Sequence, residues 1–549
     1  MKSTPLVLLI FTSLLWGCQQ KPTADKVFIN AKVWTGDSSL PTATCVAIKG
    51  NQIIYVGDDP SAVKGDVIDL KGQMLIPGFR DNHTHFLAGG YGLASVQLKS
   101  ANTPSAFIQT LATFIRDNPG TQWIQGGDWD HEAWGGELPH RNWIDSITGN
   151  RPVLLSRYDG HMALANTAAL KLAKITPYTN NPNGGLIVKD ANGQPTGVLK
   201  DEAMNLVSSI IPPPTTKELD TYFERASKHA VEHGITAVDD VSTFGGWEDL
   251  ETYRRAQAAN NLLCRVYSFV PLKDWQKLDA YVQKNGKGDG MLHWGALKGF
   301  VDGSLGSTTA WFYAPYLDEP KSIGLTVTDT ASLRLWVTEA DKAGLQVTVH
   351  AIGDKANDFI LTVFNYAAFV NGKKDRRFRV EHAQHLSKAA IANFAAQQVI
   401  PSMQPYHLYD DGNFAFKRLE DDRLQRTYAF KSLLQAGARL TFGSDWTVAP
   451  LDPILGIYAA VTRHTSDGKN PNGWYAQEKI TVEEALKCYT ANNAYAAFQD
   501  SITGKIKTGM RADITILDKD LLSIKPEEIK TVKVMRTIVD GKDVYQFSN

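Results

Sequence analysis

The sequence predicts an α/β protein. It comprises a (β/α)8 TIM-like barrel over residues 77–503, a small β-sandwich built from both termini (26–76 and 504–549), and an insertion after the first barrel strand at about 90–215. Three observations predict this. Short strand-like pieces punctuated by Gly and Asn occupy both ends of the chain. Strand and helix signals alternate through the middle, the pattern of βα units around a parallel sheet. Between them, the stretch from about 90 to 215 breaks the alternation with Gly-, Trp- and Pro-rich pieces and ends in Pro212-Pro213-Pro214. At 549 residues the chain exceeds one small core and calls for a barrel-sized domain with at least one smaller partner.

The chain opens with Lys2, the mostly apolar run Leu6 to Leu15, then Trp16-Gly17-Cys18 and the polar Gln19-Gln20-Lys21-Pro22. A charged start, a short apolar run and a small residue before the cut read as a secretory signal. The run is too short to span a bilayer. Leu15-Trp16-Gly17-Cys18 is similar to a bacterial lipobox, although Trp16 stands where a small or β-branched residue is usual. Residues 1–18 are therefore expected to be a lipoprotein-type signal. Cys18 becomes the lipidated N-terminus, held on the periplasmic side of a membrane, and Gln19 after it directs the protein to the outer membrane. The alternative is a plainly cleaved protein secreted to the periplasm. The other cysteines, Cys45, Cys264 and Cys488, are an odd, scattered set without a CxxC. They suit neither a disulfide framework nor thiolate metal ligation and read as buried small hydrophobes.

In the N-terminal part, Val27-Phe28-Ile29, Lys32-Val33-Trp34 and Thr44 to Ile48 read as strands, and a Lys49-Gly50-Asn51 turn leads to Ile53 to Val56. Ala512 to Leu517, Val532-Lys533-Val534 and Arg536 to Val539 repeat the pattern near the C-terminus, with an Asp540-Gly541 turn before Val544-Tyr545. In the middle, strands are expected at Ile235–Val238, Arg265–Val270, Leu297–Val301, Leu345–Val349, Phe378–Val380 and Leu440–Phe442. Helices fall between them, for example over 329–344 and 356–370. Hydrophobic residues at 43% and charged residues at 21% describe an ordinary globular protein. A net charge of −1 and no Lys/Arg-rich run speak against a nucleic-acid partner and leave a small-molecule substrate.

Pro77-Gly78-Phe79-Arg80-Asp81-Asn82-His83-Thr84-His85 carries the strongest chemical signal. Residues i and i+2 of a strand share a face, so His83 and His85 can grip one metal ion from a strand end. Alone this is weak, since a chance surface pair looks the same. Further candidate ligands follow in order, each in or after an apolar segment: Lys298, His350, His382 and Asp445. Taken singly, each His has a bland reading as a satisfied core histidine. The ordered set fits the rule that barrel sites sit at the C-terminal ends of strands.

These residues lie in motifs that resemble the amidohydrolase superfamily, and within it the family 3 branch that includes N-substituted formamide deformylase-like enzymes. The motifs are the segment 77–85, Lys298-Gly299-Phe300-Val301-Asp302-Gly303-Ser304, His350-Ala351-Ile352-Gly353-Asp354, Glu381-His382-Ala383-Gln384 and Gly443-Ser444-Asp445-Trp446. Gly126-Gly127-Asp128-Trp129-Asp130, Asp159-Gly160-His161 with Asn166, and Ser402 to His407 match at branch level. Thr447 and Asp128 depart from the branch pattern, neither at a ligand position.

The resemblance implies a hydrolase with one or two divalent ions, most often zinc. His83, His85 and Asp445 would hold one ion, and His350 and His382 the other. Lys298 would bridge them as a carbamate, because a free ammonium has no acceptor with which to ligate metal. Zinc lowers the pKa of a bound water towards ~7. The resulting hydroxide attacks a carbonyl, and Asp445 carries the proton to the leaving nitrogen. His161, His407, Asp128 and Trp129 are candidates for the substrate pocket, each with a structural role as the alternative. The expected reaction is hydrolysis of a non-peptide C–N bond in an amide, formamide or related group. A mononuclear deaminase with Lys298 unmodified, and a metal-free scaffold, remain as alternatives. Retention of the whole ligand set argues against the scaffold.

Overall fold

The computed structural model describes residues 21–548 except 121, 158–160 and 243–245. Cys18 and the signal segment lie outside the described residues, as do Asp159 and Gly160. Eight parallel strands form one sheet in sequential order. They are β1 (Phe79–Thr84), β2 (Ile235–Asp240), β3 (Arg265–Pro271), β4 (Leu292–Phe300), β5 (Gln346–Ala351), β6 (Arg379–His382), β7 (Ile400–Met403) and β8 (Thr441–Phe442). Helices between them cover the outside. Such strands are buried on both faces and read as apolar runs, as in β5, where Val347 and Val349 are wholly buried. The helices start where local chemistry dictates. Thr215 and Glu218 form a capping box at the start of Thr216–Glu232, and Asp329 caps Thr330–Lys342 by accepting from Ser332 N. The ring closes where Thr84 bridges Trp446 in parallel and Asp445 N donates to His83 O at 2.8 Å.

The strand that carries His83 is not the apolar run before it. Met74–Pro77 belongs to the sandwich, where it pairs with Ile514–Leu517 and Lys32–Trp34. The chain then crosses to the barrel at Gly78, whose N–H donates to Asp513 O at 2.9 Å. A Cβ there would meet the Thr236 side chain at 2.2 Å, so only glycine lets the two strands come this close. Strand β1 then buries Arg80, Asp81, Asn82 and His83 inside the barrel.

The sandwich is composite. One sheet has four N-terminal strands, Thr23–Ile29, Cys45–Lys49, Gln52–Gly57 and Lys64–Asp69. The other joins Lys32–Trp34, Thr42–Ala43 and Met74–Pro77 to the C-terminal strands Ile514–Leu517, Val534–Val539 and Lys542–Gln546. Phe28, Val33, Val46, Ile53, Leu75 and Ile514 pack between the sheets. The insertion follows the helix Phe86–Ala94 and forms its own six-stranded sheet, with Phe107, Trp129, Ile144 and Leu155 in its core.

Candidate metal centre

The C-terminal ends of the strands bring the candidate ligands around one cavity of about 460 Å³. His83 is the penultimate residue of β1, and His85 follows that strand. Lys298 lies near the end of β4, His350 near the end of β5, and His382 ends β6. His407 sits in the helix Pro405–Asp411 after β7, and Asp445 follows β8. His382 and Asp445 have positive φ, 74° and 59°. L residues with side chains rarely adopt this backbone, and such strain gathers at functional sites. Gly443 makes the approach of Asp445 possible. A Cβ there would lie 2.6 Å from Asn82 Oδ1 and 2.7 Å from His83 N.

Asp445 is the hub. Its Oδ1 lies 3.4 Å from His83 Nε2 and 3.3 Å from His85 Nε2. Its Oδ2 lies 3.8 Å from His407 Nε2 and 4.0 Å from His382 Nδ1. Lys298 Nζ is 3.3 Å from His83 Nε2. The ring of His350 is 4.4 Å from that of His382. Two sets of donor atoms therefore share Asp445: His83 with His85, and His382 with His407, each close enough to enclose one ion.

The partners of the imidazoles say which nitrogen is left for a ligand role. An acceptor facing one ring nitrogen places the proton there and leaves the lone pair on the other. Glu381 Oε2 lies 2.5 Å from His83 Nδ1, and Ser242 O lies 2.9 Å from His85 Nδ1. Gly303 O lies 3.0 Å from His350 Nε2, and Gln404 Oε1 lies 2.8 Å from His382 Nδ1. The free nitrogens are thus Nε2 of His83, His85 and His382, and Nδ1 of His350. Nε2 of His407 is buried with no hydrogen-bond partner among the described residues, and so fits a ligand role.

Electrostatics point the same way. Burial, then the Lys298 charge, lowers His83 to about 4 and His350 to about 3. Both rings are neutral at pH 7, the form that binds metal. Burial also pulls Lys298 down to about 8. Burial alone would raise Asp445, but His83, His85 and the other histidines outweigh it and hold the carboxyl well below the usual range. A carboxylate beside several imidazoles, with oxygen and nitrogen donors and no thiolate, suits a divalent ion of the zinc class.

The sequence pattern of the amidohydrolase family matches residues 66–545. The chain belongs to the amidohydrolase family. It is 38% identical over 538 residues to the protein LONG AFTER FAR-RED 3 of Arabidopsis thaliana, covering 95% of this chain and 92% of the relative. It is 28% identical to N-substituted formamide deformylase of Arthrobacter pascens, covering 94% of this chain and 97% of that enzyme. The crystal structure of an uncharacterized metal-dependent hydrolase from Pyrococcus furiosus superposes with a TM-score of 0.75 at 28% identity, over 91% of this chain and all of that one.

In this amidohydrolase, His83, His85, Lys298, His350, His382 and Asp445 line one cavity, and His407 joins them. Asp128, Trp129 and His161 are not among its lining residues. Trp129 is wholly buried in the insertion core and donates its indole N–H to Leu155 O at 2.7 Å. Asp128 is exposed at the end of the insertion strand Ile124–Trp129. His161 lies on the insertion, with Nδ1 2.9 Å from Asp201 Oδ1. The remaining lining includes the apolar Phe300, Leu305, Ile352 and Val448 and the polar Gln384, Asp410 and Asp411. Sequence reasoning gave no role to Glu381, Gln404, Asp410 or Asp411. Glu381 left one signal: a Glu two residues after Arg379 puts opposite charges on one face of a barrel strand, where each demands a buried partner.

Proposed function

We propose that this amidohydrolase cleaves a C–N bond in a small amide, with an N-substituted formamide or related N-acyl amine as the substrate class. One observation carries the reading: Asp445 stands between two sets of imidazole donors, with the Lys298 amine beside His83, at the floor of an open cavity. The formamide deformylase of Arthrobacter pascens, similar over nearly its whole length, supports the choice of bond.

His83, His85, His382, Asp445 and Lys298 would hold one or two divalent ions, zinc first, with His350 and His407 completing the set. Bound there, the ions supply a Lewis acid for the substrate carbonyl and an acidified water. The chain does the rest. The Asp445 carboxylate accepts a proton at its oxygen and returns it to the departing nitrogen. Glu381, Ser242 and Gly303 O hold the imidazoles in the tautomers that leave a lone pair inward. Leu305 and Ile352, both buried, give the cavity lining an apolar part. Lys298 is proposed to be carboxylated. Its burial favours the neutral amine that adds CO2, and the carbamate offers two oxygen donors.

The test is hydrolysis of a panel of N-formyl and N-acyl amines before and after chelation, with zinc, cobalt or manganese returned with and without bicarbonate. Activity lost with the metal and restored fastest with bicarbonate is expected. Full turnover after verified metal removal would sink the metal reading, and release of ammonia from an amidine-type substrate alone would favour the deaminase. We further propose that Cys18 is lipidated and anchors the enzyme on the periplasmic face of the outer membrane. Cys18→Ser should move it from the membrane to the soluble fraction, and unchanged fractionation with membranes would count against the anchor.

A further inference from the structure

A line of buried charges runs down the barrel beneath His83. Glu381 takes four donors: His83 Nδ1 at 2.5 Å, Ser402 Oγ at 2.6 Å, Arg379 Nε at 2.9 Å, and Thr348 Oγ1. Arg379 reaches on to Asp239 Oδ2 at 2.6 Å and to Asn82 O. Asp239 Oδ1 accepts from Arg80 Nε at 2.8 Å, and Arg80 ends on Gln499 Oε1 at 2.9 Å. Side chains of Arg80, Asp239, Arg379 and Glu381 are at most 3% exposed, so all four charges are out of water.

Burying two ion pairs in series is costly, and well-packed apolar side chains of similar volume are often as stable or more so. Stability alone therefore does not account for the line. Its geometry does. Every member is matched in charge or hydrogen bonding on both sides, and the series ends on the ring nitrogen of His83 that faces away from Asp445. Strands β1, β2, β5, β6 and β7 each contribute a member, so the orientation of one imidazole is referred to five strands at once.

We infer that Arg80, Asp239 and Arg379 are positioning residues that act through Glu381 to fix the tautomer and direction of His83, and so set metal affinity rather than substrate binding. This rests on the proposed metal centre. An acceptor held rigidly at Nδ1 keeps the Nε2 lone pair aimed at the ion, and loss of such outer partners lowers metal affinity by about 10–100-fold. Asp239 touches neither a ligand nor the cavity. Removing its charge leaves Arg379 with one carboxylate instead of two, and frees it to turn away from Glu381.

The experiment is a zinc titration of purified, metal-stripped enzyme against a chromophoric chelator, with thermal unfolding of each metal-free form and kcat and KM of each reloaded form. Asp239→Asn should weaken zinc binding about 10–100-fold and lower kcat at limiting zinc, with KM unchanged. Asp513→Asn is the control. It opens the equally buried Arg265–Asp513 pair, which belongs to no part of this line, and should lower the unfolding temperature without moving zinc affinity. Should Asp239→Asn fail to fold, Ser402→Ala reads the same contact, because Ser402 shares the Glu381 oxygen that meets His83. It should weaken zinc binding by a few-fold to tenfold. Wild-type protein that binds no zinc would remove the metal centre itself. Zinc affinity unchanged in a folded Asp239→Asn, or in Ser402→Ala where Asp239→Asn does not fold, overturns the inference. So does an equal loss in Asp513→Asn.

Discussion

At the scale of single residues, the candidate ligands were legible because they recur in order along the chain, His83 and His85 as a spaced pair and Lys298, His350, His382 and Asp445 in or after apolar segments. The partners that orient them were not. Glu381 meets His83 from another strand, and Gln404 meets His382 from just past the end of β7, so only the packing of the barrel decides those meetings. The insertion residues show the reverse difficulty. Trp129 stands in a motif, yet its side chain serves the insertion core. Asp445 is the residue whose chemistry is most exposed to test. Its carboxyl stays ionised at neutral pH, with both oxygens turned to imidazoles. Asp445→Asn keeps one ligating oxygen and the shape, but cannot take a proton. It should fold and bind metal while kcat falls by a factor on the order of 10²–10⁴, the range for general acid–base work, with KM changed far less. Full metal occupancy with kcat within a few-fold of wild type would remove Asp445 as the proton carrier.

At the scale of elements, strands with apolar runs are visible in the sequence and polar ones are not. Strand β7 reads Ile400-Pro401-Ser402-Met403 and offers neither period-2 alternation nor an apolar run, so it was not among the expected strands. Strand β1 hides for a similar reason, since Arg80, Asp81, Asn82 and His83 look like a loop until the barrel interior supplies their partners. Its apolar neighbour Met74–Pro77 draws the eye instead and belongs to another sheet. The loop after β8 depends on β1 just as closely. In Gly443→Ala the added methyl would press on Asn82 Oδ1, Asp81 Oδ1 and His83 N, where both side chains are buried and Asp81 Oδ1 is held by His83 N and Ser444 N. Overpacking of this kind costs about 1–3 kcal/mol. The variant should lose a few degrees of thermal stability and a larger share of its metal, because the displaced loop carries Asp445. Unchanged metal content would show that the loop tolerates the shift.

At the scale of the whole molecule, the pairing of the two chain ends was readable, because both carry hairpin-like strands too few to bury a core alone. How the sandwich is fastened to the barrel was not readable. The joint is polar: Arg265 of β3 forks onto Asp513 with Nε at 2.6 Å and Nη2 at 2.9 Å, and also reaches Asp540 at 3.0 Å. Asp513 O and Asp513 Oδ1 also hold the backbone of Gly78 and Asp540 at the crossing between domains. Arg265 is 1% exposed and its partner 4%, so removing one charge strands the other away from water. Breaking a buried pair from one side costs about 3–5 kcal/mol. Asp513→Asn should therefore lower stability by that order and loosen the sandwich, seen as faster amide exchange in Met74–Pro77 and Ile514–Leu517. The metal centre stands at the opposite ends of the barrel strands, so zinc affinity should hold until the fold itself is lost. Calorimetry and hydrogen exchange on the zinc-loaded enzyme read both effects. A variant as stable as wild type would show that Asp540 alone suffices to pair Arg265 and that the joint does not depend on Asp513.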